Sequence, residues 1–288
     1  MQQQGTYCDF PGGDSWVILS PIEQSIKRKI EAVGTPLKDW DIQINYGIKT
    51  GFNDAFIITT EKRNEILANC ATEEERKKTD ELIRPILRGR DIKRYGYEWA
   101  NLWLINTHNG VKGRVPRIHI EDYPAVKAHL DLYWDKIKDR ADQGDTPYNL
   151  RNCAYLEDFN KPKIIFQEIV QESQFVMDSG GMFCNDTGRI IAGTALHHLL
   201  GVLNSSLFFF AIKTFYGGGA LGDHGVRMKH TFFEKFPCIP VDARITEYSQ
   251  CLNGTYSTSI STKLEKLIQS LYGLTETEQK YIHESLLQ

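Results

Sequence analysis

Gly47-Ile48-Lys49-Thr50-Gly51-Phe52-Asn53-Asp54-Ala55-Phe56-Ile57-Ile58 is the stretch on which the fold turns. Before it, Ile42, Ile44 and Tyr46 alternate with polar residues, the period-two pattern of a half-buried strand. Beyond Gly51, Ala55 to Thr59 is a second strand-like run, so the order strand, glycine turn, strand predicts a hairpin-like unit.

Upstream, Ser20-Pro21-Ile22-Glu23 sets a capping hydroxyl, a proline at the first helical position and a glutamate three residues after the cap. Ile22, Ile26 and Ile30 then recur on one face until Gly34, which predicts an amphipathic helix. Downstream, Thr72 to Lys78 reads as a short, charged, solvated helix and Pro124 to about Lys138 as another helix. Asn101 to Asn106, Lys163 to Gln167, Gln174 to Met177 and Arg189 to Ala192 read as strands. The uncharged run Ala195 to Ile212 reads as one buried core helix, because His197, His198, Asn204, Ser205 and Ser206 interrupt it too often for a membrane span. A glycine-rich loop, 217–222, follows, and Pro237 and Pro240 mark a strand edge or end.

At the end of the chain, Leu264, Leu267, Ile268 and Leu271 form a helical stripe stopped by Gly273, and Thr275-Glu276-Thr277-Glu278 caps a final helix. The fold class is therefore α+β: a twisted, mostly antiparallel sheet with an N-terminal helix and a C-terminal helical hairpin. The divisions expected are a linker over 1–19, a main domain over 20–245 and a C-terminal helical segment over 246–288. Because its stripe is short and self-capped, the part from Ser259 onward is expected to be removable without unfolding the body.

The 288 residues, 41% hydrophobic and 25% charged, suffice for a large core and exclude disorder. The net charge of -3 means that any surface for nucleic acid must be a local patch. Cys8, Cys70, Cys153, Cys184, Cys238 and Cys251 stand far apart with no zinc-ligand spacing, as reduced thiols of a cytoplasmic protein do. Met1 to Gly13 lacks the basic-then-apolar order of a signal peptide, and no membrane association is expected.

No Walker A, G-x-G-x-x-G, G-x-S-x-G or H-E-x-x-H motif is present, so neither a catalytic residue, a bound cofactor nor a metal is assigned to the chain. Glu75-Arg76-Lys77 and Glu278-Gln279-Lys280 carry the E-x-K of many Mg²⁺ nucleases, but both fall in polar helices and read as solvated helix faces. The positive signal is Leu82 to Ile118. Eight basic residues, Arg84, Arg88, Arg90, Lys93, Arg94, Lys112, Arg114 and Arg117, stand there against Asp91 and Glu98, a local balance of +6. Tyr95, Tyr97, Trp99 and Trp103 are interleaved with them. Arginine forks bond guanine edges and phosphates two acceptors at a time, so this composition suits nucleic acid.

The 47–58 stretch resembles the opening signature of the TaqI-like specificity domain, the C-terminal target-recognition part of type IIG restriction-modification enzymes and adenine-N6 DNA methyltransferases. Ile83-Arg84-Pro85-Ile86-Leu87-Arg88-Gly89-Arg90-Asp91-Ile92-Lys93-Arg94-Tyr95 and Gly144-Asp145-Thr146-Pro147-Tyr148-Asn149-Leu150-Arg151-Asn152-Cys153 are similar to further family segments, in order. Lys161 to Ile165, Leu200 to Ser205, Phe236 to Pro240 and Leu271 to Glu276 continue the resemblance nearly to the end.

The resemblance implies a module that recognises double-stranded DNA and positions it for a separate methyltransferase or nuclease domain. Those domains would carry S-adenosylmethionine and Mg²⁺, since the family's Asn/Asp-Pro-Pro-Tyr/Phe and glycine-rich motifs do not occur here. Candidate DNA-binding residues are Arg88, Arg90, Lys93, Arg94, Lys112, Arg114, Arg117, Asn149, Arg151, His224, Arg227 and Lys229. The alternative is a protein-protein scaffold within a restriction-modification or phage-defence complex, with Tyr97, Trp99 and Trp103 as its contact surface.

Overall fold

Lys163-Ile164-Ile165-Phe166-Gln167 is apolar on both faces of a strand, and both faces are buried. In the computed structural model, which describes residues 19–217 and 225–287, Ile164 and Phe166 enter one hydrophobic core while Ile165 enters another. The neighbouring strand repeats the division with Ile191 and Ile190. One sheet therefore forms the wall between two cores. Its strands run Phe175–Asp178, Lys163–Gln167, Gly188–Gly193, Ile42–Tyr46, each antiparallel to the next. Lys163 lies wholly within this wall, its Nζ 2.6 Å from Asp178 Oδ2.

A second sheet, in the order Phe183–Cys184, Ile83–Leu87, Leu102–Ile105, Ile57–Thr59, closes the second core and is antiparallel except for its first pair. The expected hairpin does not form. Ile42–Tyr46 pairs with Gly188–Gly193, whereas Ile57–Thr59 pairs with Leu102–Ile105 in the other sheet, with a helical turn, Asn53–Phe56, between them. Gly47 is needed for a close approach, since a Cβ there would lie 1.8 Å from the Asn185 carbonyl oxygen, and Gly51 turns the chain with φ +71°.

The first helix, Pro21–Val33, has the capping box expected of Ser20 and Glu23 and buries Ile26 and Ile30. The 195–212 run differs from a single helix. It breaks into Leu196–Leu203 and Ser206–Ala211, because the Asn204 carboxamide leaves the helix to bond both backbone groups of Phe175 and Ser205 caps the next segment. Among the described residues no single helix is long and apolar enough to cross a membrane.

The C-terminal helices Ala243–Leu252, Thr258–Leu271 and Glu276–Leu286 complete the first core instead of lying on it. Leu264, Ile268, Tyr272 and Ile282 are buried, and the Tyr272 hydroxyl donates to the Pro237 carbonyl at 2.8 Å. Removal from Ser259 would thus open that core, contrary to the expectation drawn from the short stripe.

Both E-x-K glutamates also depart from a solvated helix face. Glu75 accepts the Ala71 and Ala125 N–H groups, and Glu278 accepts from Lys29 at 2.6 Å, Ser25 at 2.8 Å and the Thr275 N–H at 2.7 Å. They tie helices to their surroundings.

Candidate nucleic-acid interface

Three loops, over 47–54, 106–119 and 142–156, leave the second core on one face, and their backbone is held by buried polar side chains. Arg140 does most of this. Its Nε donates to the Thr50 carbonyl at 2.9 Å, its Nη2 to the Asn149 carbonyl at 2.5 Å, and its Nη1 to the Ile137 and Pro147 carbonyls, while the guanidinium lies 4.5 Å over the Phe56 ring. No carboxylate is among these acceptors. Burial pushes its pKa down to about 10, with Asp142 opposing, so the group stays charged at neutral pH.

Asn149 is the second fastener. Its amide Nδ2 donates to the Ile118 carbonyl at 2.9 Å and its Oδ1 accepts from the Thr146 hydroxyl at 2.7 Å, joining the 142–150 turn to the 106–119 loop. At 2% exposure its carboxamide is directed into the protein, whereas the sequence places it among the candidate contacts.

On this frame sits a tight turn in which Val111 and Val115 bridge and Gly110 and Gly113 take positive φ, so that Lys112 and Arg114 project from its tip. Lys112 to Arg117 share a concavity of about 810 Å³ with Asp145 and 152–154. A second cavity, of about 520 Å³, shares 152–154 and is lined further by 46–49, Asn106, His108 and 150–156. Lys112, Arg114, Arg117 and Arg151 are thereby brought onto one surface.

That surface carries its own carboxylates. Arg114 lies 3.1 Å from Glu157, Arg117 3.1 Å from Asp145 and Arg151 2.9 Å from Asp142. Exposed pairs of this kind are worth only about 0–1 kcal/mol and can be exchanged for a phosphate. Lys49 and Lys112 are exposed and have no ion-pair partner among the described residues.

The other half of the basic stretch has different neighbours. Arg88 clasps Asp91 through Nε and Nη2, at 3.0 and 2.7 Å, burying the carboxylate and turning the chain. It is a structural clamp, not a free fork. Arg90 is exposed at the next turn, where the Gly89 N–H donates to Thr187 Oγ1 at 2.9 Å. Lys93 donates to the Arg90 carbonyl and lies 3.8 Å from Glu98, and the Arg94 guanidinium rests 5.5 Å from the Tyr95 ring.

The two halves are joined by contact rather than by sequence: Gly89 meets Thr187, Asn185 pairs with Ile48, and the 46–49 segment borders the cavity that reaches 150–156. Farther along, Arg227 lies 3.5 Å from Glu168, and the Lys229 ammonium is 5.7 Å from the Phe232 ring. His224 falls outside the described residues.

Sequence reasoning missed Arg140 and Lys49. Arg140 stands in a polar run with nothing local to mark it as buried, whereas Lys49 is the one basic residue of the 47–58 stretch. The tryptophans are committed internally. Trp103 donates to Thr60 Oγ1 at 2.9 Å, carries the Arg63 guanidinium 4.1 Å above its ring and packs edge-on to Trp99 at 5.1 Å.

Residues 84–238 match the family described as the TaqI-like C-terminal specificity domain. Among solved structures, the type IIL restriction-modification enzyme MmeI, in complex with DNA, is similar with a TM-score of 0.60 and 15% identity, over 88% of this chain and 36% of that one. The type IIG restriction endonuclease BpuSI is similar with a TM-score of 0.46 and 12% identity, over 87% of this chain and 32% of that one. The chain thus spans about a third of the length of these two structures. No curated protein matches the sequence. With the match extending over more than half of its residues, the chain belongs to the family of TaqI-like C-terminal specificity domains.

Proposed function

We propose that this chain is the sequence-specific duplex-recognition module of a type IIG-like restriction-modification enzyme, and that it positions target DNA for a separate methyltransferase or nuclease domain. The observation that carries the reading is the family match over 84–238, the segment that supplies most of the basic loops. The main body over 20–245 would grip the duplex, and the chemistry, with S-adenosylmethionine and Mg²⁺, would belong to domains outside this sequence.

On this reading Lys112, Arg114, Arg117 and Arg151 face the DNA directly, exchanging their carboxylate partners for phosphates or base edges. Arg90, Lys93, Arg94, Arg227 and Lys229 would flank them. Arg88 and Asn149 act one step back, holding the turns that present the others. Pairing each arginine with a carboxylate in the free protein suits a specificity domain, because it weakens indiscriminate attraction to phosphate and leaves more of the affinity to base contacts.

The test is selection of bound duplexes from a random pool, followed by titration of the winner and a scrambled control at several salt concentrations. A selected consensus with a steep salt dependence is expected. Retention of no duplex, even at low salt, overturns the proposal.

A further inference from the structure

Arg189 stands opposite Phe166 in one strand pair of the dividing sheet and opposite Tyr46 in the other. Residues directly opposite in antiparallel strands share a face, so its guanidinium is set at the margin of the first core, where it is 2% exposed and lies 4.0 Å over the Tyr46 ring. A guanidinium does not lose its charge at neutral pH, and a buried charge requires an opposite one. Its Nη2 donates to Glu168 Oε2 at 3.0 Å and its Nη1 to His230 Nδ1 at 3.4 Å, while Nε has no partner among the described residues. Glu168 is thus the carboxylate that compensates Arg189.

Backbone bonds fix Glu168 from two sides. Its N–H donates to the Thr187 carbonyl at 3.2 Å, and its carbonyl accepts the Met228 N–H at 2.6 Å. Arg227 comes alongside because Val226–Arg227 pairs with Ile169–Val170. The Arg227 Nε stands 3.5 Å from Glu168 Oε1, beyond the roughly 2.7–3.2 Å of a well-formed N–H···O bond, and its side chain is 52% exposed. One carboxylate therefore lies between two guanidiniums, hydrogen-bonded to the buried one, and the positive charge left over is carried at the surface by Arg227. Arg114, Arg117 and Arg151 differ, since each has a carboxylate of its own within 3.1 Å. A phosphate arriving at one of those three has to displace a partner. At Arg227 it does not, because Glu168 stays with Arg189.

We propose that Arg189 is a positioning residue: by holding Glu168 it keeps Arg227 open as a phosphate anchor for the duplex, and it does so from inside the protein without touching DNA. This rests on the duplex-recognition reading for the source of the phosphate. An anchor of this kind binds every sequence alike, so it complements the carboxylate-paired arginines, which bind only where the gain outweighs the exchange.

The full chain and its variants should be titrated with the selected duplex and a scrambled one at several salt concentrations. Arg227→Ala should weaken both duplexes alike and lower the slope of log K against log salt by about one unit. Arg189→Met should do the same with Arg227 still in place, since Glu168 then turns to Arg227. Adding Glu168→Gln to Arg189→Met should restore the wild-type slope, because Arg227 loses its competitor for phosphate. A merely structural Arg189 could not be rescued by a second loss in its own cluster. Where Arg189→Met does not fold, thermal melts of Arg227→Ala decide: the melting temperature should fall by no more than about 2 °C, as for an exposed pair that contributes little.

A wild-type slope in Arg189→Met, or a reduced slope that the double variant does not restore, overturns the positioning role and spares duplex recognition. A fall of several degrees in Arg227→Ala assigns Glu168 to Arg227 and overturns it as well. A wild-type chain that binds neither duplex, even at low salt, overturns the duplex reading and this proposal with it.

Discussion

The Nε of Arg140 donates to the carbonyl of Thr50 across 90 residues of sequence, at 2.9 Å, inside the protein. A guanidinium whose acceptors are carbonyls of different loops ties those loops to a common frame, and only its planar fork can reach them together. Arg140→Met should leave several buried carbonyls unpaired and lower stability by about 3 kcal/mol. Arg140→Lys should recover little, since an ammonium cannot reproduce the fork. Urea melts of both variants check this, and a Lys variant as stable as the wild type would remove Arg140 from its framing role.

Asn149 and Arg151 stand two residues apart and should behave oppositely. Asn149→Ala loses the bonds to Ile118 and Thr146 and should destabilise the protein by about 1–3 kcal/mol. Arg151→Ala breaks an exposed pair with Asp142 and should change stability by no more than about 0.5 kcal/mol, yet weaken duplex binding. Thermal melts beside anisotropy titrations separate the two. Equal behaviour would mean that burial does not divide frame from contact here.

The basic residues on the surface divide by what they touch. If Lys112 meets a phosphate, Lys112→Ala should weaken binding to every sequence alike and lower the slope of log K against log salt by about one unit. If Arg114 reads a guanine edge, Arg114→Ala should cost about 1–3 kcal/mol on the selected sequence and little on a scrambled one. Arg88→Ala should instead lower stability, because it abandons the buried Asp91 carboxylate. Titration of the three variants at several salt concentrations resolves these outcomes.

Truncation after Thr258 should abolish the cooperative unfolding transition. It removes Leu264, Ile268 and Tyr272 from the core that also holds Leu199, Leu200 and Phe208, together with the Tyr272 bonds to Pro237 and Ile239. Calorimetry of the shortened chain checks it. An unchanged transition would show that the sheet and the two central helices suffice.

Acid should weaken the contact between the first helix, Pro21–Val33, and the last, Glu276–Leu286. Burial would raise the Glu278 pKa, but Lys29, the Thr275 N–H and Ser25 together hold it at about 2, below the ordinary 4.5. A carboxyl with a depressed folded-state pKa stabilises above its ordinary value and loses that contribution as pH falls toward the folded value. Between pH 4.5 and 2 the wild type should therefore lose up to about 3 kcal/mol through this group, and Glu278→Gln correspondingly less. Urea midpoints of both proteins across that range check the difference, which should narrow as pH falls.

By itself the sequence determined the local architecture and the family. The Ser20 and Thr275 caps, the strands at 163–167 and 188–193 and the order of the motifs are all written within a few residues, because capping and burial periodicity are short-range properties. It did not determine which strand pairs with which. Ile42–Tyr46 and Ile57–Thr59 look like partners along the chain and lie in different sheets, since pairing depends on register and packing with segments more than 40 residues away. Tertiary structure alone also decided which polar residues are tied into the frame and which stay exposed on the surface. Arg88, Asn149 and Arg140 differ little in sequence from Arg90, Asn152 and Arg151, yet the first three are held by distant carbonyls or a buried carboxylate, and whether a side chain meets such a partner or water is settled only when the loops close over it.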